Sequence, residues 1–295
     1  MHIAVLGAGT MGHGIAQVSA MAGHDVLLRD IEEGIVSDGL DAIESNLDGA
    51  IQREKIDEST ARATLDRIEG TTSLPDAVTE SDLVIEAVPE EMEIKHSTVT
   101  DVEEHVDRET VIASNTSSLS LTEIANPLQH PERVIGLHFF NPVHIMELVE
   151  IVVPEQTNDE TIAFATEFVD DIDKTPIQVT DTPGFASSRL GIALGLEAMR
   201  MLGEGVASPR DIDTAMELGY NHPMGPIELT DVVGLDIRLE ILEYLREELG
   251  ERFRPPQILK RKVRAGKLGR KTGEGFYVWE DGEIVGTSVD SEGAR

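Results

Sequence analysis

The chain of 295 residues contains no cysteine. That absence excludes a disulfide framework, a thiolate metal site and a cysteine nucleophile, and it fits a reducing compartment. Long apolar runs are missing too: nothing approaches the ~18 residues of a membrane span. The opening Met1-His2-Ile3-Ala4-Val5 lacks the basic region and long apolar stretch of a secretory signal. A soluble, cytoplasmic protein with no membrane partner is therefore expected. Basic residues are scarce, 24 against 56 acidic ones, and only 7 of the 24 are lysine, giving a net charge of −32. A surface so negative repels phosphate backbones and argues against nucleic acid as a partner.

The acid is scattered through sequence that reads as folded. This pattern, with lysine scarce, resembles proteins of high-salt cytoplasms, where screening over about 3 Å relieves self-repulsion. One stretch departs from it: Arg252–Lys271 holds nine Lys or Arg and no Asp or Glu. It reads either as a site for a specific anionic neighbour or as a solvated segment balancing nearby acid.

The length allows two domains at roughly 100–200 residues each. His2 to Asp30 reads as strand, glycine turn, helix, glycine stop and strand, a βαβ unit with Ile3–Leu6 and Val26–Leu28 as its strands. A helical, acid-rich stretch runs on to about residue 66. Leu83–Val88 is the next strand, followed by a helix near 90–106 and a strand at Val111–Ala113. Strands alternating with helices predict a doubly wound sheet. From Thr182-Pro183-Gly184-Phe185 the character becomes helical, with helices over 186–203, 209–218, 226–249 and 256–265 and one late strand at 275–279. Ser208-Pro209-Arg210-Asp211 is a helix start with a serine cap and proline in the first turn. The fold class is thus α/β, a Rossmann-like sheet domain over 1–183 and a mainly α-helical domain over 184–295, with the last dozen residues frayed.

Gly7-Ala8-Gly9-Thr10-Met11-Gly12 matches G-x-G-x-x-G. It follows a strand, opens a helix, and is followed by Asp30 at the end of the next strand, the context that gives the motif its meaning. The first glycine permits the turn, the second lets the backbone approach a pyrophosphate, and the third lets helix pack on strand. Asp30 accepts from ribose hydroxyls and repels a 2′-phosphate, which favours NAD over NADP; the adjacent Arg29 works the other way.

Ligands of such sheets sit beyond the carboxyl ends of the strands. There the chain places Glu86–Glu90, then Ser114–Ser118, then His138-Phe139-Phe140-Asn141. Oxidation of an alcohol by hydride transfer needs a base, and an imidazole, titrating near about 6.5, is suited to it. Glu150 interrupts the apolar strand Leu148–Val153, and a chain reversal at Asn141-Pro142 would bring it beside His138. A carboxylate there would fix the imidazole tautomer. A lone histidine among apolar residues is more often a satisfied core residue, whereas a glutamate inside an apolar strand is rarer and harder to dismiss. His138, His144, Glu147 and Glu150 could ligate a metal, but no H-E-x-x-H spacing occurs and none is expected. Ser117 lacks the G-x-S-x-G elbow of a hydrolase.

The segments GAGTMGHGIAQV, VIEAVPE, ASNTSSL, GLHFFNPV, LVEIV, DTPGF, DTAMELGYNHPMGPIEL, VGLD and GRKTGEGFY together resemble the L-3-hydroxyacyl-CoA dehydrogenases, of the short 3-hydroxybutyryl-CoA type. The resemblance runs over roughly residues 2–278. It implies NAD-dependent oxidation of an (S)-3-hydroxyacyl-CoA to the 3-ketoacyl-CoA, and the reverse, with the acyl-CoA lying between the domains. His138 would be the base, Glu150 its partner, Ser117 a hydrogen-bond partner of the substrate's 3-oxygen, and Asn141 part of the same pocket. Gly7, Gly9, Thr10, Met11, Gly12 and Asp30 would hold the adenine half of NAD, and Glu90, Lys95, Asn115 and Lys271 the nicotinamide half. Asn46 and Arg53 would contact coenzyme A, and the helical domain would form a homodimer. The family pattern P-G-F-x-x-N-R appears here as Pro183-Gly184-Phe185-Ala186-Ser187-Ser188-Arg189, so Ser188 stands where the family has asparagine, one amide group shorter. Relatives acting on free hydroxy acids such as gulonate, and a non-catalytic NAD(H)-binding protein, are the alternatives; the complete His138, Glu150, Ser117 and Asn141 set weighs against the latter.

The charge pattern carries its own test. Thermal unfolding should move to higher temperature from low to molar KCl, and equal midpoints would sink the high-salt reading.

Overall fold

The computed structural model describes residues 1–288. The chain divides into two compact units, Met1–Phe185 and Ala186–Arg295. The first unit runs β1 (His2–Leu6), α1 (Gly12–Met21), β2 (Asp25–Arg29), α2 (Glu33–Gln52), α3 (Glu58–Leu65), β3 (Ile68–Thr71), α4 (Leu74–Val78), β4 (Leu83–Glu86), α5 (Met92–Glu103), β5 (Val111–Ser114), α6 (Leu121–Ala125), β6 (Val134–Phe139), β7 (Leu148–Val153), α7 (Asp159–Asp171) and β8 (Thr175–Thr180). Its eight strands form one sheet in the order β3-β2-β1-β4-β5-β6-β7-β8. The six strands from β3 to β6 are parallel, β7 turns back antiparallel to β6, and β8 is parallel to β7.

Helices cover both faces, which is why the central strands are apolar without alternation. In β1, Ile3 and Val5 enter one core cluster while Ala4 and Leu6 enter the cluster on the other side. Strand order reverses between β1 and β4, and this is where the carboxyl ends of a doubly wound sheet leave a crevice.

Several elements differ from the sequence reading. The acidic stretch after Asp30 is two helices, α2 and α3, separated by a turn in which Glu54 takes φ 55°. β3 and α4 had no signal: the sequence Ile-Glu-Gly-Thr of β3 has one buried residue in four, as suits an edge strand. α7 and β8 were not assigned either; β8 is the opposite edge, with no fully buried residue.

The second unit runs α8 (Ser187–Gly203), α9 (Pro209–Tyr220), α10 (Pro226–Val233), α11 (Leu235–Leu249), α12 (Gln257–Arg264), β9 (Tyr277–Glu280) and β10 (Glu283–Thr287). Ser208 caps α9 as expected, accepting from the Asp211 N–H at 3.2 Å. The single helix expected over 226–249 is broken at Gly234, whose φ of +108° only glycine adopts readily. The expected fraying of the final dozen residues is corrected over 284–287, which belong to β10, and 289–295 lie outside the described residues.

Two buried aspartates join the helices of this unit to its hairpin. Asp231 accepts from the backbone N–H of Phe276 and Tyr277, both at 2.8 Å, and from the Trp279 indole at 3.0 Å. Asp213 accepts from the Ile227 and Glu228 N–H groups and from the Tyr277 hydroxyl at 2.6 Å. Burial pushes both carboxyls up, and the donors oppose it.

Four of the nine basic residues of the segment are seen in ion pairs within their own unit. Arg254 meets Glu251, Lys260 meets Glu243, Lys267 meets Glu274 and Lys271 meets Asp236, while Lys262 donates to the Gly275 and Ser288 carbonyls. This favours the charge-balancing reading over that of a dedicated anion site.

Outside that segment, Arg238 is a buried cation, 8% exposed. It lies on the buried stripe of α11 with Leu235, Leu242 and Leu245, its Nε has no hydrogen-bond partner among the described residues, and burial lowers its guanidinium to about 10. An uncompensated buried cation is costly. Arg238→Met should therefore raise stability by about 1–2 kcal/mol, read from denaturant midpoints at fixed salt. A lowered midpoint would refute the absence of compensation.

Candidate active site

At the end of β1 the chain must turn sharply, and Gly7 does so with φ +100°. A Cβ there would fall 2.5 Å from the Ala87 carbonyl oxygen, and one at Gly12 would collide with the Gly7 carbonyl. These two glycines are demanded by the protein's own backbone. Gly9 is different, because a Cβ there would meet nothing within 4 Å. The free space over Gly9, at the N-terminus of α1, is what a pyrophosphate approaching the backbone needs. Asp30 sits beside the loop, accepting from Ala8 N–H at 2.8 Å and Ile31 N–H at 2.7 Å through its two oxygens. Each oxygen keeps a lone pair for a ribose hydroxyl. Arg29 is turned to the Thr72 carbonyl at 3.3 Å. The residues present thus fit a dinucleotide, with Asp30 beside the loop and its oxygens able to accept further hydrogen bonds.

The three polar strand ends meet around a cavity of about 380 Å³ lined by Met11, Glu90, Lys95, Asn115, Ser117, His138 and Asn141 among others. β6 and β7 are registered so that His138 stands directly opposite Glu150. Opposed residues of an antiparallel pair project to the same face, and the imidazole Nδ1 lies 2.7 Å from Glu150 Oε2. Glu150 is 0% exposed and His138 6%. With Nδ1 engaged by the carboxylate, Nε2 is the nitrogen left for chemistry. The ring is walled by Phe140, with centroids 4.5 Å apart, and by Phe185 at 5.8 Å. The reversal between the strands begins at a cis Asn141-Pro142 bond.

A second ionic group supports the neighbouring strand ends. Lys95, 1% exposed, donates to Glu86 Oε1 at 2.7 Å and lies 3.3 Å from Glu90 Oε2. Glu86 also accepts from the Ser114 hydroxyl and the Val88 N–H. Glu90 Oε1 accepts from Thr116 Oγ1 at 2.6 Å and from Ser117 and Ser118, so the whole 116–118 loop hangs on one oxygen. Burial would raise Glu90, but Lys95 and the Thr116 and Ser117 donors hold it below the usual glutamate range. The Ser117 hydroxyl makes the longest of these contacts, 3.3 Å, and is the one freest to turn to a ligand. Asn115 accepts the Phe139 N–H at 2.9 Å, which orients its amide and leaves the NH₂ available.

Glu86 was not singled out in the sequence beyond its cluster. It carried the signal that exposed Glu150, an acid ending the apolar run of a buried strand. Phe140 and Phe185 carried no signal, because apolar residues beside apolar residues read as core.

The other expected residues lie as follows. Asn46 donates to Gln17 at 3.1 Å, tying α2 to α1, and Arg53 follows the last turn of α2 exposed to solvent. Ser188 and Lys271 belong to the second unit, Ser188 in the first turn of α8 and Lys271 on Asp236 at 2.6 Å.

A glycine loop at the switch point of a doubly wound sheet, with a histidine–carboxylate pair at the strand ends, has the layout of a dinucleotide-dependent dehydrogenase. The comparisons agree with that class and narrow it. Residues 2–182 match the NAD binding domain of 3-hydroxyacyl-CoA dehydrogenase, and 184–279 match its C-terminal domain. The chain is 43% identical over 278 residues to a protein of Deinococcus radiodurans described as a probable 3-hydroxybutyryl-CoA dehydrogenase, covering 94% of this chain and 99% of that one. It is 41% identical to the 3-hydroxybutyryl-CoA dehydrogenase of Clostridioides difficile, with the same coverage. The crystal structure of (S)-3-hydroxybutyryl-CoA dehydrogenase from Ralstonia eutropha superposes with a TM-score of 0.92 at 42% identity, over 95% of this chain and 99% of the other. This chain belongs to the 3-hydroxyacyl-CoA dehydrogenase family.

The contrast among the glycines is testable. Gly9→Ala should keep its unfolding midpoint and lose NADH affinity at least about tenfold in a fluorescence titration, since its Cβ meets only ligand space. Gly12→Ala should lose stability as well, because its Cβ meets backbone. Equal effects of the two substitutions would refute the distinction.

Proposed function

We propose that this chain catalyses the NAD-dependent oxidation of (S)-3-hydroxybutyryl-CoA to acetoacetyl-CoA and its reverse. The observation that carries the reading is the buried His138–Glu150 pair, 2.7 Å apart, at the wall of the cavity beside the glycine loop. NAD⁺, when bound along that loop, supplies the acceptor for the hydride leaving C3. His138 Nε2 takes the 3-hydroxyl proton. Glu150 holds the ring with its proton on Nδ1 and stabilises the imidazolium that results. In reduction the imidazolium returns the proton. Ser117, turning from Glu90, donates to the substrate's 3-oxygen, and Asn141 closes the same side. Gly7, Gly9, Gly12 and Asp30 hold the adenine half of the cofactor, Glu90, Lys95, Asn115 and Lys271 serve the nicotinamide half, and Asn46 and Arg53 contact coenzyme A.

Two finer points belong to the same reading. A cytoplasmic location is supported by the absence of cysteine. Self-association into a homodimer is supported by Leu190, Leu218 and Tyr220 of the second unit, which are 71%, 79% and 74% exposed.

NADH oxidation with acetoacetyl-CoA in molar salt, beside free acetoacetate, tests the function. Activity on the thioester is expected, and activity on the free acid alone would favour a hydroxy-acid dehydrogenase. Light scattering on the same preparation should give twice 32.1 kDa. Glu150→Gln should lower kcat by about a hundredfold or more while NADH affinity stays near wild type, since it acts through His138. Full turnover would refute the pairing.

A further inference from the structure

The register of His138 on Glu150 depends on the turn that joins β6 to β7, and that turn must satisfy its backbone groups without a ladder. Pro142 C=O accepts from the N–H groups of Ile145 and Met146, both at 3.0 Å. The carbonyls of Val143 and Met146 then face one cation, for Lys174 Nζ donates to Val143 O at 2.8 Å and to Met146 O at 2.7 Å. Next to this clamp, Thr175 N–H donates to Glu147 O at 2.7 Å.

Lys174 is held as firmly as what it holds. Asp173 takes φ 56° in the turn from α7 to β8, and the Lys174 N–H returns to Val169 O at 3.1 Å. The turn is anchored on its other side by Val143, 2% exposed and packed so closely on Gly14 that a Cβ there would fall 2.8 Å from Val143 Cβ. α1 begins the same turn of helix at Gly12, so the reversal that carries Asn141 is tied to the cofactor loop through Val143 and to α7 through Lys174. An ammonium suits this place: it is a compact charge with three donors that can meet two converging carbonyls, where a planar guanidinium cannot match both as well.

We propose that Lys174 is a positioning residue for the reaction, fixing the 143–146 turn so that Asn141 and Phe140 stand correctly beside His138. The proposal rests on the dehydrogenase reading above, and it needs a readout that does not depend on activity.

Lys174→Met keeps the aliphatic stem and removes the ammonium. In hydrogen–deuterium exchange the amides of 143–147 should exchange about tenfold faster or more, since two charge-assisted bonds are lost, while the peptides covering 7–14 and 86–90 stay as in wild type. With acetoacetyl-CoA, kcat should fall by about ten- to a hundredfold, with KM for NADH within about twofold, and Lys174→Arg should recover part of the loss. Wild-type exchange in the turn would overturn the proposal, as would a loosened turn with undiminished kcat. A wild-type protein inactive on acetoacetyl-CoA would sink the dehydrogenase reading, and the exchange comparison would still decide whether the clamp exists.

Discussion

A carboxylate removed wholly from water has to be balanced, and the His138 imidazole stands 2.7 Å from Glu150. That demand organises the far half of the sheet. Both residues must lie on the same face and at the same height, so β7 has to run antiparallel to β6 in one register. A slip of one residue would turn Glu150 to the opposite face of the sheet, away from His138. The antiparallel pair in an otherwise parallel run of strands is what permits this, because parallel neighbours would need a long crossover between His138 and its partner.

The adjacent strand ends solve the same problem differently. Glu86 and Lys95 are both 1% exposed, yet every polar atom of the group has a use: Ser114 and Val88 on Glu86, Glu90 on Lys95, and the 116–118 loop on Glu90. A saturated network of this kind is rigid, since moving one member strands another in low dielectric. The His138 ring, by contrast, lines the cavity with aromatic rings on two sides. The saturated group is thus a rigid support beside the cavity that His138 lines, the arrangement that the proposed acid–base role of His138 calls for.

Much of this was legible in the sequence, for physical reasons that differ by element. The glycine loop was legible because turn, approach and packing each demand glycine at a fixed spacing. Glu150 was legible because an acid within an apolar strand has few innocent explanations. β3 and β8 were not, since edge strands lack the apolar run that marks the central ones, and β3 is half exposed. The break at Gly234 was hidden by apolar periodicity continuing through both α10 and α11. Lys174 was invisible for another reason: its partners are backbone carbonyls, which every residue has, so no side-chain pattern announces them. The same holds for the two backbone donors on Asp231, from Phe276 and Tyr277.

The net charge of −32 poses a difficulty for a protein that binds a pyrophosphate. Its resolution lies in where the charges are. Among the described residues the acids nearest the reacting groups, Glu86, Glu90 and Glu150, are each engaged by Lys95, Ser114, Thr116 or His138. The donors available to a phosphate at the glycine loop are backbone N–H groups at the start of α1, fixed dipoles that work over a few ångströms. Exposed carboxylates act over the Debye length, which salt shortens, whereas buried pairs are screened far less. Raising ionic strength therefore weakens the long-range repulsion of the surface while leaving the His138–Glu150 and Glu86–Lys95 groups nearly as they were. An acidic surface and an anion-binding crevice are compatible in one chain because salt acts on the first and hardly touches the second.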